Sequence, residues 1–243
     1  MKLQKITEEV AGGARAVRGG RWYHDACGAA HALEIVGERW ALLVIRELFW
    51  GPKRFGDLKA SLHGISANVL TQRLEGLEAA GVVQRRKLPP PASVQVYQLT
   101  PWGQESEPIF QVLGRWAARS PAHDPTLPLS VSSLMLSFRT MFDVEKAAGL
   151  SADVGFSLGA ETFRVRVEQG VLTVERADTA GAEAVVIAAE APAIAAVVYG
   201  GQPLADMQAA GALQVEGDVE AAARFLGWFT LPEKAERPAG SES

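Results

Sequence analysis

The stretch that decides the fold runs from Phe55 to Gly81, FGDLKASLHGISANVLTQRLEGLEAAG. Two groups of apolar residues repeat in it at helical spacing: Phe55, Leu58 and Leu62 in the first, and Leu70, Leu74 and Leu77 in the second. Gly64 separates the groups, and Ser66 has the hydroxyl that a helix N-cap needs. Gly81 provides the helix stop. Two helices joined by a short glycine turn predict a helix-turn-helix.

The outward face of the second helix carries side chains that can bind bases. At about 100° per residue, Asn68 and Gln72 lie opposite the leucines, with Thr71 beside them and Arg73 on the flank. Asn and Gln can bond adenine bidentately, and Arg can reach guanine or phosphate. Ordinary solvated helix faces have a similar composition, so this face alone leaves both interpretations open. The DNA-binding candidates are Ser66, Asn68, Thr71, Gln72, Arg73, Arg54, Lys59, Arg85, Arg86 and Lys87.

The segments after Gly81 strengthen the nucleic-acid interpretation. Two strand-like runs, 82–88 and 94–100, flank the rigid loop Pro89-Pro90-Pro91-Ala92-Ser93, which predicts a β-hairpin, or wing. The cations Arg85, Arg86 and Lys87 lead to its tip, where they can pair with phosphate. Upstream, 29–36 and 38–50 are predicted helices, the second apolar almost all round and stopped by Gly51-Pro52.

Charge is distributed unevenly between the two halves. Residues 1–120 hold 16 Lys and Arg against 11 Asp and Glu, a net of +5, whereas residues 121–243 hold 8 against 17, a net of −9. The first half therefore suits a polyanionic partner better than the second. A 48% hydrophobic fraction allows packed cores. Finding neither a signal peptide nor an apolar spanning segment, we expect a cytoplasmic protein without membrane contact.

The first half resembles the HxlR family of bacterial winged-helix regulators. The motifs that carry the resemblance are CGAAHALEIVGERW at 27–40, RFGDL at 54–58, LTQRL at 70–74, LEAAGVV at 77–83 and YQLTPWG at 97–103. The resemblance covers about residues 25–118. It implies a homodimer, DNA binding by the helix that begins at Ser66, and phosphate contact from the wing. Gly28, where the family usually has proline, and Trp102, where a charged residue is common, depart from the pattern.

Another helix follows the wing, with Thr100 as N-cap and Pro101 at its first position. Its apolar stripe lies either in a dimer interface or against another part of the same chain. The dimer-interface candidates are Ile109, Val112, Leu113 and Trp116. A two-fold dimer would suit a palindromic operator.

The second half predicts an α+β domain. Helices are expected at 132–143, 191–199 and 219–229, and strands at 162–168, 171–176, 183–188 and 213–218, forming a meandering, mainly antiparallel sheet. This half resembles the sterol-carrier-protein-like domain through short motifs such as AGALQVEGD at 210–218 and RFLGWF at 224–229. That resemblance implies an apolar tunnel for a hydrophobic ligand, although the same residues also suit an ordinary core. The candidate lining residues are Phe138, Met141, Phe142, Val198, Met207, Phe225 and Trp228.

Cys27 is the only cysteine, so no internal disulfide can form. Some relatives resemble redox or electrophile sensors with a cysteine at this position, and a thiolate near Arg21 or His24 would be reactive. The alternative is a small packed side chain. The four scattered histidines lack metal-ligand spacing, and no motif indicates catalysis or a cofactor, so we expect a non-enzyme without cofactor or metal.

We expect an α+β chain composed of a winged helix-turn-helix and a sterol-carrier-protein-like domain. Its expected segments are an N-terminal arm (1–24), the DNA-binding domain (25–120), a proline-containing linker (121–131), the second domain (132–232) and a fraying tail (233–243). The expected function is a dimeric repressor that binds double-stranded DNA and responds to a small apolar or aromatic effector. The alternatives are a redox sensor acting through Cys27, and a lipid-binding protein whose winged helix serves only dimerisation.

Overall fold

The computed structural model describes residues 23–236, which fall into two compact units divided after Arg39. The first unit contains α1 (Gly28–Val36), none of whose nine residues is buried. Predicted features before Tyr23, including most of the N-terminal arm and Arg21, lie outside the described residues. The second unit contains every other element.

A winged helix-turn-helix opens the second unit, as predicted. Its helices are α2 (Ala41–Leu48), α3 (Phe55–Ser61) and α4 (Ala67–Ala79), and its wing consists of the antiparallel strands β1 (Val83–Lys87) and β2 (Gln95–Leu99). The helix α2 begins later than the predicted residue 38, because Trp40 has a φ of +80°, outside the helical region. The Ser66 hydroxyl caps α4 by accepting from the Val69 amide at 3.2 Å, and Gly81 ends the helix with a φ of +77°.

The segment after the wing forms two helices where the sequence predicted one. They are α5 (Pro101–Gln104) and α6 (Glu107–Ala118). The Thr100 hydroxyl accepts from the Gly103 amide at 3.0 Å, which confirms the predicted N-cap. Pro108 has no amide hydrogen with which to continue the hydrogen bonds of α5, so a new helix starts beside it.

The second domain is α+β with a mixed, mainly antiparallel sheet in the order β5-β4-β3-β6-β7. The elements are α7 (Val131–Met141), β3 (Ala152–Leu158), β4 (Glu161–Glu168), β5 (Val171–Glu175), β6 (Ala184–Ala188), α8 (Ala191–Val198), α9 (Leu204–Ala209), β7 (Leu213–Gly217) and α10 (Val219–Leu226). Only the β3–β6 pair is parallel among these strands.

The predicted meander is wrong because the sequence analysis missed β3, the central strand. Its sequence ADVGFSL alternates, but Asp153, Gly155 and Ser157 are residues that isolated strands disfavour. Pairing on both sides overrides that preference. Gly155 is required because a Cβ there would lie 2.7 Å from the side chain of Thr179. With β3 in place, β6 pairs on its other side, which requires a crossover.

The predicted fraying of the tail is also wrong for the residues up to Glu236. The Lys234 ammonium donates to the carbonyls of Ala118, Ser120 and His123 at 2.9–3.1 Å. The Ala235 amide donates to the Arg119 carbonyl at 2.7 Å. A cation on the last carbonyls of a helix is favourable, so these bonds hold the end of the described chain against the end of α6.

Five phenylalanines form the centre of the second domain's core. Phe138, Phe156, Phe163 and Phe225 are fully buried, and Phe138 stacks on Phe229 with ring centroids 4.5 Å apart. Phe225 contacts the rings of both Phe138 and Phe156 at about 6 Å. Aromatic side chains therefore occupy the centre of the layer between the sheet and its covering helices.

Candidate nucleic-acid interface

The helix α4 is divided into a buried and an exposed face as the leucine spacing predicted. Its buried residues are Leu70, Leu74 and Leu77. Ser66, Asn68, Thr71 and Gln72 are exposed, and Arg73 is half-buried. The exposed side chains begin at the N-terminal turn, the part of a recognition helix that enters the major groove.

Two further candidate cations lie on or beside α3. Arg54 is exposed, and its backbone amide donates to the Asp57 carboxylate at 3.2 Å, which closes the first turn of α3. Lys59 is half-buried in the last turn of the same helix. The structure therefore places one of these two cations fully at the surface.

The wing cations are exposed but not equivalent. Arg85, Arg86 and Lys87 line a concavity of about 320 Å³ together with Ser93 and Gln95. Arg85 donates to the Glu78 carboxylate of α4 at 2.6 and 2.8 Å, and its guanidinium lies 6.0 Å from the centre of the Tyr97 ring. The bond from Arg85 lowers the pKa of Glu78.

Arg85 therefore links the wing to α4, and its guanidinium is already bonded to the Glu78 carboxylate. Arg86 and Lys87 are the wing cations better suited to phosphate. Glu78 was not among the predicted site residues, because a pairing between residues seven positions apart, across a turn, has no local sequence signal.

The apolar stripe of α6 is exposed in the described chain. Ile109, Val112, Leu113 and Trp116 are 48%, 72%, 41% and 71% exposed. Other residues of α6 contact the rest of the chain. Phe110 packs edge-on against Phe49, with ring centroids 5.1 Å apart, and Glu107 binds Arg139 of α7 at 2.6 Å. The stripe therefore does not pack against the described part of its own chain, which was one of the two alternatives.

The predicted ligand-lining residues are mostly buried in the aromatic core. Phe138, Met141, Phe225 and Trp228 are buried, whereas Phe142, Val198 and Met207 are half-buried. Phe142 lines a surface groove of about 490 Å³ between α6, α7 and β5. Elsewhere on α7, Ser137 Oγ and the half-buried Tyr199 hydroxyl form a hydrogen bond of 2.8 Å, and desolvation raises the pKa of Tyr199.

Cys27 is exposed and immediately precedes α1. The nearby backbone amides of Ala30 and Ala29 lower the pKa of its thiol, as expected at a helix N-terminus. The Cys27 amide donates to Asp25 at 2.9 Å. The thiol is therefore accessible and favours its ionised form more than a free cysteine does.

Residues 23–236 contain neither a metal cluster nor a membrane-spanning helix. No cluster of three or more His, Cys, Asp or Glu side chains there could hold a metal ion. No helix in that range is long and apolar enough to span a membrane.

Comparison with known proteins divides the chain in the same region as the proline-containing segment. The family model "HxlR-like helix-turn-helix" matches residues 35–124, and the family model "Alkyl sulfatase C-terminal" matches residues 124–235. The second match is consistent with the sterol-carrier-protein-like fold.

Individual relatives each cover 35–40% of the chain. The transcriptional regulator YvaP of Bacillus subtilis is 36% identical over 86 residues, which are 35% of this chain and 80% of YvaP. A quinone-bound structure of YodB from the same organism is 32% identical, covers 37% of this chain and 93% of that chain, and has a TM-score of 0.33. The alkylsulfatase Pisa1 of a Pseudomonas species is 18% identical, covers 40% of this chain and 15% of that enzyme, and has a TM-score of 0.35.

YvaP is aligned over four fifths of its length, and the residues matched by the HxlR-like family model contain α4 and the wing. Several further relatives are HTH-type transcriptional regulators. The chain belongs to the HxlR-like helix-turn-helix family.

Proposed function

We propose that this protein is a transcriptional repressor that binds a palindromic operator as a homodimer, and that it is not an enzyme. The observation that carries the proposal is the division of α4, with three leucines buried and Asn68, Thr71 and Gln72 exposed, directly before a basic wing. Asn and Gln have the donor and acceptor pair that adenine requires in the major groove. Arg86 and Lys87 supply charge for phosphate.

Replacing Gln72 by alanine tests the recognition helix. Loss of a bidentate base contact costs about 1–3 kcal/mol, or roughly fivefold or more in operator affinity, and relaxes the preference at one base position. The measurement is selection from a random duplex pool followed by titration of the selected site. Gln214→Ala, at an exposed glutamine of β7, is the matched control. Unchanged specific binding by Gln72→Ala and Arg73→Ala would favour a protein whose winged helix serves only dimerisation.

The exposed stripe of α6 supports the dimer. Four large apolar side chains on one helix face are costly to leave in water and are characteristic of an association surface. A two-fold axis through this face would bring identical residues together, as an isologous interface requires. Because the reverse side of α6 packs on the second domain, pairing through the stripe would leave both domains of each subunit in place.

Replacing Trp116 by serine tests the dimer. We expect dissociation into monomers at micromolar concentration, measured by sedimentation velocity, together with loss of the tighter affinity for a two-half-site operator. Trp102→Ser is the matched control, because Trp102 is a half-exposed tryptophan on α5, outside the stripe. A Trp116→Ser protein that stays dimeric rules this interface out.

We further propose that an apolar effector in the second domain modulates operator binding. Because aromatic rings fill the space beneath the sheet, a ligand there would have to displace Phe138 or Phe225. Phe138 lies on α7, and the first turn of α7 contacts the winged helix through Ser132. A ligand that shifts α7 can therefore favour one orientation of the DNA-binding domain over another.

The effector proposal predicts that the operator Kd changes by about fivefold or more when the second domain is loaded. The measurement compares operator titrations with and without the amphipathic aromatic probe anilinonaphthalene sulfonate and each molecule extracted from the purified protein. Phe138→Ala, which opens space in the core, should bind the probe more tightly. Equal operator affinity with every retained molecule contradicts the proposal.

A second candidate function, redox or electrophile sensing, is favoured by Cys27. Its thiol is exposed and its pKa is lowered by the amides of α1. We expect a quinone or peroxide to release wild-type protein from its operator, with no release for Cys27→Ser. Gel shift with mass analysis of the Cys27 adduct is the measurement. Equal release of both proteins would exclude Cys27 as the sensor.

A further inference from the structure

Lys53 lies between the winged helix and the second domain, and its side chain is buried. The side chain is 7% exposed. Its ammonium donates to Glu47 Oε2 at 3.2 Å and to Ser132 Oγ at 3.1 Å, and it lies 3.9 Å from Glu161 Oε1. Glu47 belongs to α2 of the winged helix, whereas Ser132 and Glu161 belong to the second domain. One ammonium group therefore joins both domains.

Glu47 provides the fixed negative charge of this contact. Its side chain is fully buried and accepts from Arg46 at 2.8 Å and from the Ser130 hydroxyl at 2.6 Å. Burial alone would raise the pKa of Glu47, but Arg46, Lys53 and Ser130 together lower it, so the carboxylate is ionised. A buried ion pair with all its partners in place holds its members in one geometry, since leaving either charge unpaired is costly.

The backbone of Lys53 pairs with the wing. The Lys53 amide donates to the Tyr97 carbonyl at 3.0 Å, and the Tyr97 amide donates to the Lys53 carbonyl at 2.8 Å. Tyr97 lies opposite Arg85 in the β1–β2 register, and Arg85 binds Glu78 of α4. Direct contacts therefore run from α7 through Lys53 to the wing and on to the recognition helix.

We propose that Lys53 is a positioning residue for DNA binding, through which α7 of the second domain sets the wing on the operator. This inference rests on the proposed DNA-binding function. Lys53 is too buried to contact phosphate, so its effect must pass through the strand it pairs with. The second domain then supports the wing through the contact between Ser132 and Lys53.

The replacement Ser132→Ala tests the inference without changing any charge. It removes an acceptor of the Lys53 ammonium that lies in the second domain, far along the chain from the wing. Ser133→Ala is the matched control, because Ser133 is the next residue of α7 and its side chain is only half-buried. Arg86→Ala is the reference for a lost wing contact, which lowers the slope of log affinity against log salt by about one.

We expect Ser132→Ala to raise the operator Kd about threefold or more and to reduce the salt slope toward that of Arg86→Ala. A purely structural defect would instead lower the fraction of protein that is able to bind the operator, and would leave the operator Kd and the salt slope unchanged. Lys53→Met should have the same effect more strongly. An affinity and a slope equal to those of Ser133→Ala overturn the inference.

Amide hydrogen exchange without DNA separates this inference from the proposed function. Ser132→Ala should exchange faster than Ser133→Ala across residues 83–99. If wild type binds no duplex, the proposed function fails, but faster exchange would still support the contact between Ser132 and the wing. Equal exchange in the two variants overturns the inference whatever the DNA result.

Discussion

The arrangement of the second unit depends on the carboxylate of Glu47, which lies where an unpaired charge would destabilise the fold. Glu47 is fully buried beside α7, and an isolated ion there would destabilise the fold. Arg46 and Lys53 of the winged helix offset part of that cost, and the Ser130 hydroxyl, at the start of α7, adds a hydrogen bond that exists only while the two domains are in contact. The same requirement places Ser130 and Ser132 at the start of α7. The wing strand that pairs with Lys53 is then linked to the position of α7.

A second set of contacts, centred on the Trp50 ring, also connects the winged helix to the second domain. The Trp50 indole donates to the Ser132 carbonyl at 3.2 Å, and the ring meets Phe163 edge-on at 5.7 Å. Arg139 lies over the same ring, 4.8 Å from its centre, and bonds both Glu107 and the Val174 carbonyl. The helices α2 and α6 of the winged helix are therefore both tied to α7.

The aromatic core places a condition on any effector of the second domain. A preformed pocket would accept an apolar molecule at little cost, whereas here the rings of Phe138, Phe225 and Phe229 already pack against one another. Binding beneath the sheet would require them to move, and Phe138 moves with α7. An effector that entered would thus act on the helix that contacts the winged helix.

The sequence alone determined the elements whose evidence is local. The leucine spacing of α4, the Ser66 cap, the glycine turns and the basic hairpin predicted the winged helix, because helical periodicity and turn chemistry are properties of neighbouring residues. Tertiary structure decided the rest. It made a strand of Ala152–Leu158 through pairing on both edges, occupied Arg85 with Glu78, and buried Glu47 and Lys53 against Ser132. These features join residues up to 85 positions apart. Their energies depend on desolvation and on partners that only the folded chain brings together.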